Sequence, residues 1–232
     1  MSLSLDREIS QLKKGLLSVC AMVEGNVQRA VQAIDTDGIR LANIVIERDA
    51  EIDEIEVHVE EDCLKILAMQ QPVATDLRFI VAVLKINSDL ERTGNEAMSI
   101  AEHVLALAAR TETMPAIDFL AMAGKAEAML QLSIDALVYW DSDQAEQVCM
   151  ADDEIKMLAQ RITHKIHQAI KKDPQCVESC IHLLAIARHL ERIADYATNI
   201  GEDVLYMIRG EIVRHKRGHL AESPASQVAL LW

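Results

Sequence analysis

Residues 84–104 are written a second time at residues 184–204. With a shift of one hundred, Leu84, Ile86, Leu90, Glu91, Arg92, Ala97, Ile100, Glu102 and Val104 meet Leu184, Ile186, Leu190, Glu191, Arg192, Ala197, Ile200, Glu202 and Val204. Nine identities in twenty-one positions exceed what composition alone gives. The period is far too long for a solenoid unit, so each copy must bury a core of its own. A chain of 232 residues has room for two such units. Half of its residues are apolar and only 3% are aromatic. Ala, Leu, Ile, Val and Met must therefore fill the interior, and with Gly and Pro scarce this favours helices.

Six helical segments can be drawn, at about 5–34, 39–68, 73–109, 116–140, from about 143 to 172, and from 174 to about 210. Short connections make neighbours antiparallel, so three helices close one bundle. The expected fold is all-α, with two similar three-helix bundles packed side by side. The polar connector RTETMP separates a first unit, 1–110, from a second, 111–215, and residues 216–232 read as a flexible tail. Pro72 is placed to open the third helix, and Pro174 lies just inside the start of the sixth. Asp143 and Glu146 have capping-box spacing at the start of the fifth, and Lys171 and Lys172 suit its end.

The repeat carries acids in an apolar register. Leu77, Leu84, Glu91, Met98 and Leu105 recur every seven residues, which puts Glu91 on an apolar stripe with Asn95 one turn on. Leu184, Glu191, Thr198 and Leu205 repeat the arrangement, with Asp195 beside Glu191. The second helix adds Asp49, Asp53, Glu56 and Glu60 on one face, next to Ile52, Ile55, Val59 and Ile66. On this pattern Asp49 and Asp53 sit at the edge of the buried face. The fifth helix has Asp152 in the matching place, but Lys156 where the first half has Asp53. Two like charges 4 Å apart repel by about 4 kcal/mol near a protein surface. Clustered carboxylates must hold protons, pair with cations such as Arg92 and Arg192, or bind metal; the residues leave all three open. Oxygen donors suit hard cations, iron or manganese better than copper.

Other chemistry has little support. A net charge of −14 argues against nucleic acid as a partner. Cys20, Cys63, Cys149, Cys176 and Cys180 read as reduced, buried thiols of a cytoplasmic protein. The opening MSLSLDREISQLKK is polar and amphipathic rather than a leader, and no apolar stretch approaches the roughly 20 residues of a spanning helix. His103 and His189 lie off the Glu91 and Glu191 stripes, while His164 and His167 share a face with each other. These read as surface or interhelix contacts. No nucleophile elbow, phosphate loop or Ser-His-Asp order points to an enzyme. Arg214, Lys216 and Arg217 read as part of a solvated tail.

The stretches RDAEIDEIE, QQPVATDLRFIVAVLKINSDLER, HLERIADYATNIGEDV and RGEIVRH resemble the signature stretches of the PhoU family, from about Asp6 to Lys216. The resemblance implies two three-helix bundles and no enzyme activity. It also implies a cytoplasmic negative regulator that damps the high-affinity phosphate ABC transporter and links it to a phosphate-sensing histidine kinase. The expected partners are the transporter's ATPase subunit, the kinase and a second copy in a homodimer, with only peripheral contact at the membrane. Some members bind multinuclear metal through acidic i, i+4 pairs. By position these are Asp49 with Asp53, Glu91 with Asn95, Asp152 with Lys156, and Glu191 with Asp195. Iron, manganese, zinc or magnesium are the candidate ions. Asn95 and Lys156 depart from the usual acids. An Asn carbonyl still ligates, but a charged Lys does not, and its ammonium can take the cation's place. The first-half site is therefore expected to be the better one. The alternative reading is a metal storage or sensing bundle.

Overall fold

The computed structural model describes residues 3–35, 38–110 and 115–212. Among these are six long helices and no strand: α1 (Leu3–Asp35), α2 (Gly38–Gln70), α3 (Ala74–Ala108), α4 (Leu120–Tyr139), α5 (Ser142–Lys172) and α6 (Val177–Arg209). One short 3₁₀ turn, Pro174–Cys176, precedes α6. The tail read at 216–232, with Arg214, and most of the RTETMP connector lie outside the described residues.

Helices α1, α2 and α3 pack on one another, as do α4, α5 and α6. The halves join chiefly through α3 against α6, with α1 also touching α4. This is the all-α, two-bundle architecture that the repeat requires. Both central helices are buried along their length. Ile80, Val83, Ile86 and Leu90 on α3 and Leu190, Ile193 and Ile200 on α6 are wholly out of solvent. The two run antiparallel: Lys85 near the start of α3 meets Asp203 near the end of α6 at 3.1 Å, and Arg110 just past α3 meets Glu178 at 2.6 Å. The functional side chains thus sit on rigid rods whose register is fixed by core packing.

Three helix starts differ from expectation. Helix α4 begins at Leu120, four residues late, because the Asp118 carboxylate accepts the Leu120 amide at 3.0 Å and holds the preceding backbone in a turn. Helix α5 is capped by Asp141, whose Oδ1 accepts the amides of Asp143 and Gln144 at 2.9 and 3.1 Å. Glu146 is not part of a capping box; it reaches Arg209 at 2.6 Å. Pro72 precedes α3 rather than opening it, between the left-handed Gln71 (φ 46°) and the extended N-cap Val73. Helix α4 ends at Tyr139 with Trp140 in the left-handed region (φ 55°). The Trp140 ring stacks on Phe79, centroids 6.1 Å apart, and the Lys13 ammonium lies over both rings. These contacts bind the end of α4 to α1 and α3 in the other half.

All five cysteines are buried free thiols. Burial pushes the Cys20 and Cys63 thiols up to about 12. Cys180, with Cys176 Sγ at 3.5 Å, is pushed up to about 11 by burial and by that neighbour. Thiolate is the reactive form. A disulfide-exchange reagent at pH 7.5 should therefore label none of the five within minutes, and all five once guanidinium unfolds the chain. Rapid labelling of Cys20 or Cys63 in the folded protein would contradict this packing.

Candidate functional site

The acidic row of α2 lies against α3. Ile52 and Val59 are buried between the helices and set the roll of α2. That roll turns Asp49, on the same face, into the interface, where it is only 8% exposed. It faces Gly94 of α3, which lies between Glu91 and Asn95 in the chain: a Cβ built there would stand in ordinary contact, 3.8 Å from Asp49 Oδ1. Asp53 stays exposed, and Glu56, Glu91 and Asn95 are half-buried. Depth is therefore the reverse of what the seven-residue stripe implied. Glu91 is at the rim of the core, with Leu77 40% exposed on its stripe, and Asp49 is the carboxylate taken inside.

The electrostatics follow from this crowding. Burial, then Asp53, Glu91 and Glu102, hold the Asp49 carboxyl above its usual range. Burial, then Glu60, Glu91 and Asp53, do the same to Glu56. Every charged neighbour that shifts these two groups is itself an acid. Neutral amides supply what relief there is. Asn95 Nδ2 donates to Glu91 Oε1 at 2.5 Å, and Asn87 Nδ2 donates to Glu56 at its carbonyl (2.9 Å) and at Oε1 (3.0 Å). Among the described residues Asp49 Oδ1 is buried with no hydrogen-bond partner, which is costly for a carboxylate.

Glu56 was on the expected acidic row but not among the candidate site residues. The structure brings it to Glu91. The signal available in the sequence was Asn87, one turn before Glu91 on α3, which holds it there.

The second half is built differently. The buried positions of α5 match those of α2 with an offset of 103, pairing Ala145, Val148, Asp152, Ile155, Ile162 and Ile166 with Ala42, Val45, Asp49, Ile52, Val59 and Cys63. Asp152 is 1% exposed. Lys156, in the place of Asp53, sets its Nζ 2.5 Å from Asp152 Oδ2. The same offset replaces Glu56 by Ala159, and the repeat replaces Asn87 by Ala187. Beside Ala159 a cavity of 460 Å³ opens, its lining including Lys156, Gln160, Thr163, His164, His167 and Glu191. Glu191, in that lining, is half-buried, as is Asp195 one turn on along α6.

Among the described residues, no three His, Cys, Asp or Glu side chains already surround one ion position. By donor chemistry the two halves still differ. The first-half set offers oxygen donors, an unpartnered buried Asp49 Oδ1 and mutual repulsion, all of which a hard or borderline cation would relieve. Asp49, Asp53, Glu56, Glu91 and the Asn95 carbonyl are the residues that would hold it. In the second half an ammonium is already on the buried carboxylate.

No helix among the described residues is long and apolar enough to cross a membrane. Comparisons with known proteins extend the picture from the site to the whole chain. The model of the PhoU domain family matches residues 16–104 and again residues 119–204. A phosphate-specific transport system accessory protein PhoU homolog from Aquifex aeolicus is 33% identical over 220 residues, covering 95% of this chain and 99% of the relative. One from Pseudomonas aeruginosa is 32% identical over 216 residues, covering 93% and 89%. The crystal structure of PhoU from Pseudomonas aeruginosa matches with a TM-score of 0.85 at 32% identity, over 89% of this chain and 99% of that one. The phosphate transport system regulatory protein PhoU from Streptococcus pneumoniae matches with a TM-score of 0.82 at 27% identity, over 90% and 99%.

Proposed function

This chain belongs to the PhoU family, and from that premise we propose that it is a cytoplasmic negative regulator of high-affinity phosphate uptake and of phosphate-starvation signalling. A role in the phosphate transport system is what its relatives' names share. The observation that carries the reading is the likeness to accessory proteins of that system across nearly the whole of both chains. The finer reading is an adaptor, not an enzyme, that contacts the transporter's ATPase subunit and the sensor histidine kinase, itself as a homodimer.

Two features support an adaptor. The duplicated bundle gives the molecule two outer helices, α2 and α5, one for each of two contacts. Both present exposed acids beside exposed apolar side chains: Glu54 and Glu61 near Val57 and Leu64 on α2, and Asp153 and Glu154 near Met150 and Met157 on α5. Acidic rims around apolar anchors suit basic partner surfaces.

Deleting the gene should derepress phosphate uptake and alkaline phosphatase in phosphate-replete cells, and the wild-type gene should restore repression. Glu54→Lys/Glu61→Lys should repress several-fold less well while remaining folded. A deletion strain that keeps normal repression would overturn the proposal. The Asp49 set favours one other reading, a metal storage or sensing bundle. In that case the deletion phenotype would follow iron supply rather than phosphate supply, which growth under each limitation separates.

A further inference from the structure

A second cluster of chemically capable side chains lies where α3 crosses α6, away from the acidic rows. His103 Nδ1 stands 3.0 Å from His182 Nδ1, with the ring centroids 5.2 Å apart. The His189 ring lies 5.3 Å from His103 on centroids. His182 and His189 are two turns apart on α6, and His103 faces both from α3. His189 Nδ1 is 2.6 Å from Glu96 Oε2, and Arg192 fixes the other oxygen of that buried carboxylate at 3.0 Å.

We propose that His103, His182 and His189 form a binding site for a borderline transition-metal ion, zinc first, that staples the two halves together. Two imidazole nitrogens facing each other at 3.0 Å repel unless a proton or a metal ion lies between them. With zinc–nitrogen bonds of about 2.0–2.1 Å and tetrahedral angles, ligating nitrogens stand about 3.4 Å apart and their ring centroids about 5.2 Å. Both centroid distances already meet that value. Pivoting the His103 and His182 rings about their centres, which widens the nitrogen gap by about 0.4 Å, opens the ion's position. His189 completes the set through Nε2, which its Nδ1 contact with Glu96 leaves free. A carboxylate on Nδ1 leaves Nε2 as the ligating atom and orients the ring, which is the role Glu96 fills here.

The cluster is not part of the repeated plan. A shift of one hundred turns His103, His182, His189 and Glu96 into Asp203, Ala82, Asp89 and Tyr196. There the crossing is closed by the Lys85–Asp203 ion pair at 3.1 Å instead. Imidazole donors select zinc, nickel or copper over magnesium and calcium, whereas the acidic set offers oxygen donors alone.

The test uses the full chain after chelation, titrated at pH 7.5 with Zn²⁺ by calorimetry and with Co²⁺ by visible absorption. Wild type should take up Zn²⁺ and show the visible bands of a nitrogen-rich tetrahedral Co²⁺ site. His103→Gln/His182→Gln should lose at least about tenfold in Zn²⁺ affinity and lose those bands, and Glu96→Gln should weaken binding about 10–100-fold. Asp49→Asn/Glu91→Gln removes oxygen donors only and should keep the nitrogen-rich tetrahedral Co²⁺ bands. If circular dichroism shows the double glutamine variant unfolded, His182→Gln alone is read by the same criteria. Nitrogen-rich tetrahedral Co²⁺ bands that survive the histidine changes, that are lost only with the acidic changes, or that are absent from wild type would overturn the proposal.

Discussion

In the metal-free protein, Asp49→Asn should raise stability at pH 7 by about 0.5–2 kcal/mol, a rise of about 1–8 °C in melting temperature. Removing a charge from a core edge usually costs stability, so the sign is diagnostic. Asp49 is nearly buried, its Oδ1 lacks a partner, and the charged groups that act on it are acids. Its folded pKa therefore lies above the unfolded value, and the ionised group opposes folding. That opposition is fully present at pH values above the folded pKa. It fades as pH falls through the folded pKa toward the unfolded value near 3.8. The advantage of Asn should accordingly shrink between neutral pH and about pH 4. Added Mn²⁺ should reverse the order at pH 7, because a bound cation stabilises only the form that ligates it. Melting curves of both proteins at pH 4, 5, 6 and 7, with and without Mn²⁺, check all three statements.

The matching change in the second half should have the opposite sign. Lys156→Ala should destabilise the metal-free protein by about 1–3 kcal/mol, because the Asp152 carboxylate is 1% exposed and loses its ammonium. The figure is kept modest because the Lys156 side chain is 43% exposed and the pair is partly screened by solvent. Lys156→Asp should go further. It restores an acid beside Asp152 and in one cavity lining with Glu191, and should strengthen this half's stabilisation by added Mn²⁺ relative to wild type. A Lys156→Ala protein as stable as wild type at pH 7 would show that the ammonium contributes nothing there.

Much of the fold was legible because the repeat left few alternatives. A hundred-residue period of helical pattern admits little besides two bundles, and both halves form them. Helix starts were less legible, because several side chains compete for the same free amides. Asp141 caps α5 from two residues before the expected Asp143, and Asp118 delays α4. Depth was misjudged for a geometric reason. An α-helix drifts by about 20° per heptad against a strict seven-residue stripe. The stripe through Glu91 therefore leaves the core, exposing Leu77, while the line through Leu90, Gly94 and Ala97 stays in. The His103, His182 and His189 cluster was readable only as three separate histidines. Their meeting depends on the antiparallel register of α3 on α6, which brings residues some eighty positions apart into contact and which no local pattern encodes.

The central claim is that the acidic cleft of the first half is shaped to hold a cation, and that Lys156 takes its place in the second. Equilibrium dialysis with Mn²⁺, an ion that prefers oxygen donors, measures this directly on wild type, Asp49→Asn/Glu91→Gln and Lys156→Asp. The account predicts binding by wild type, its loss in the first variant and additional binding in the second. Equal Mn²⁺ uptake by wild type and Asp49→Asn/Glu91→Gln would contradict it.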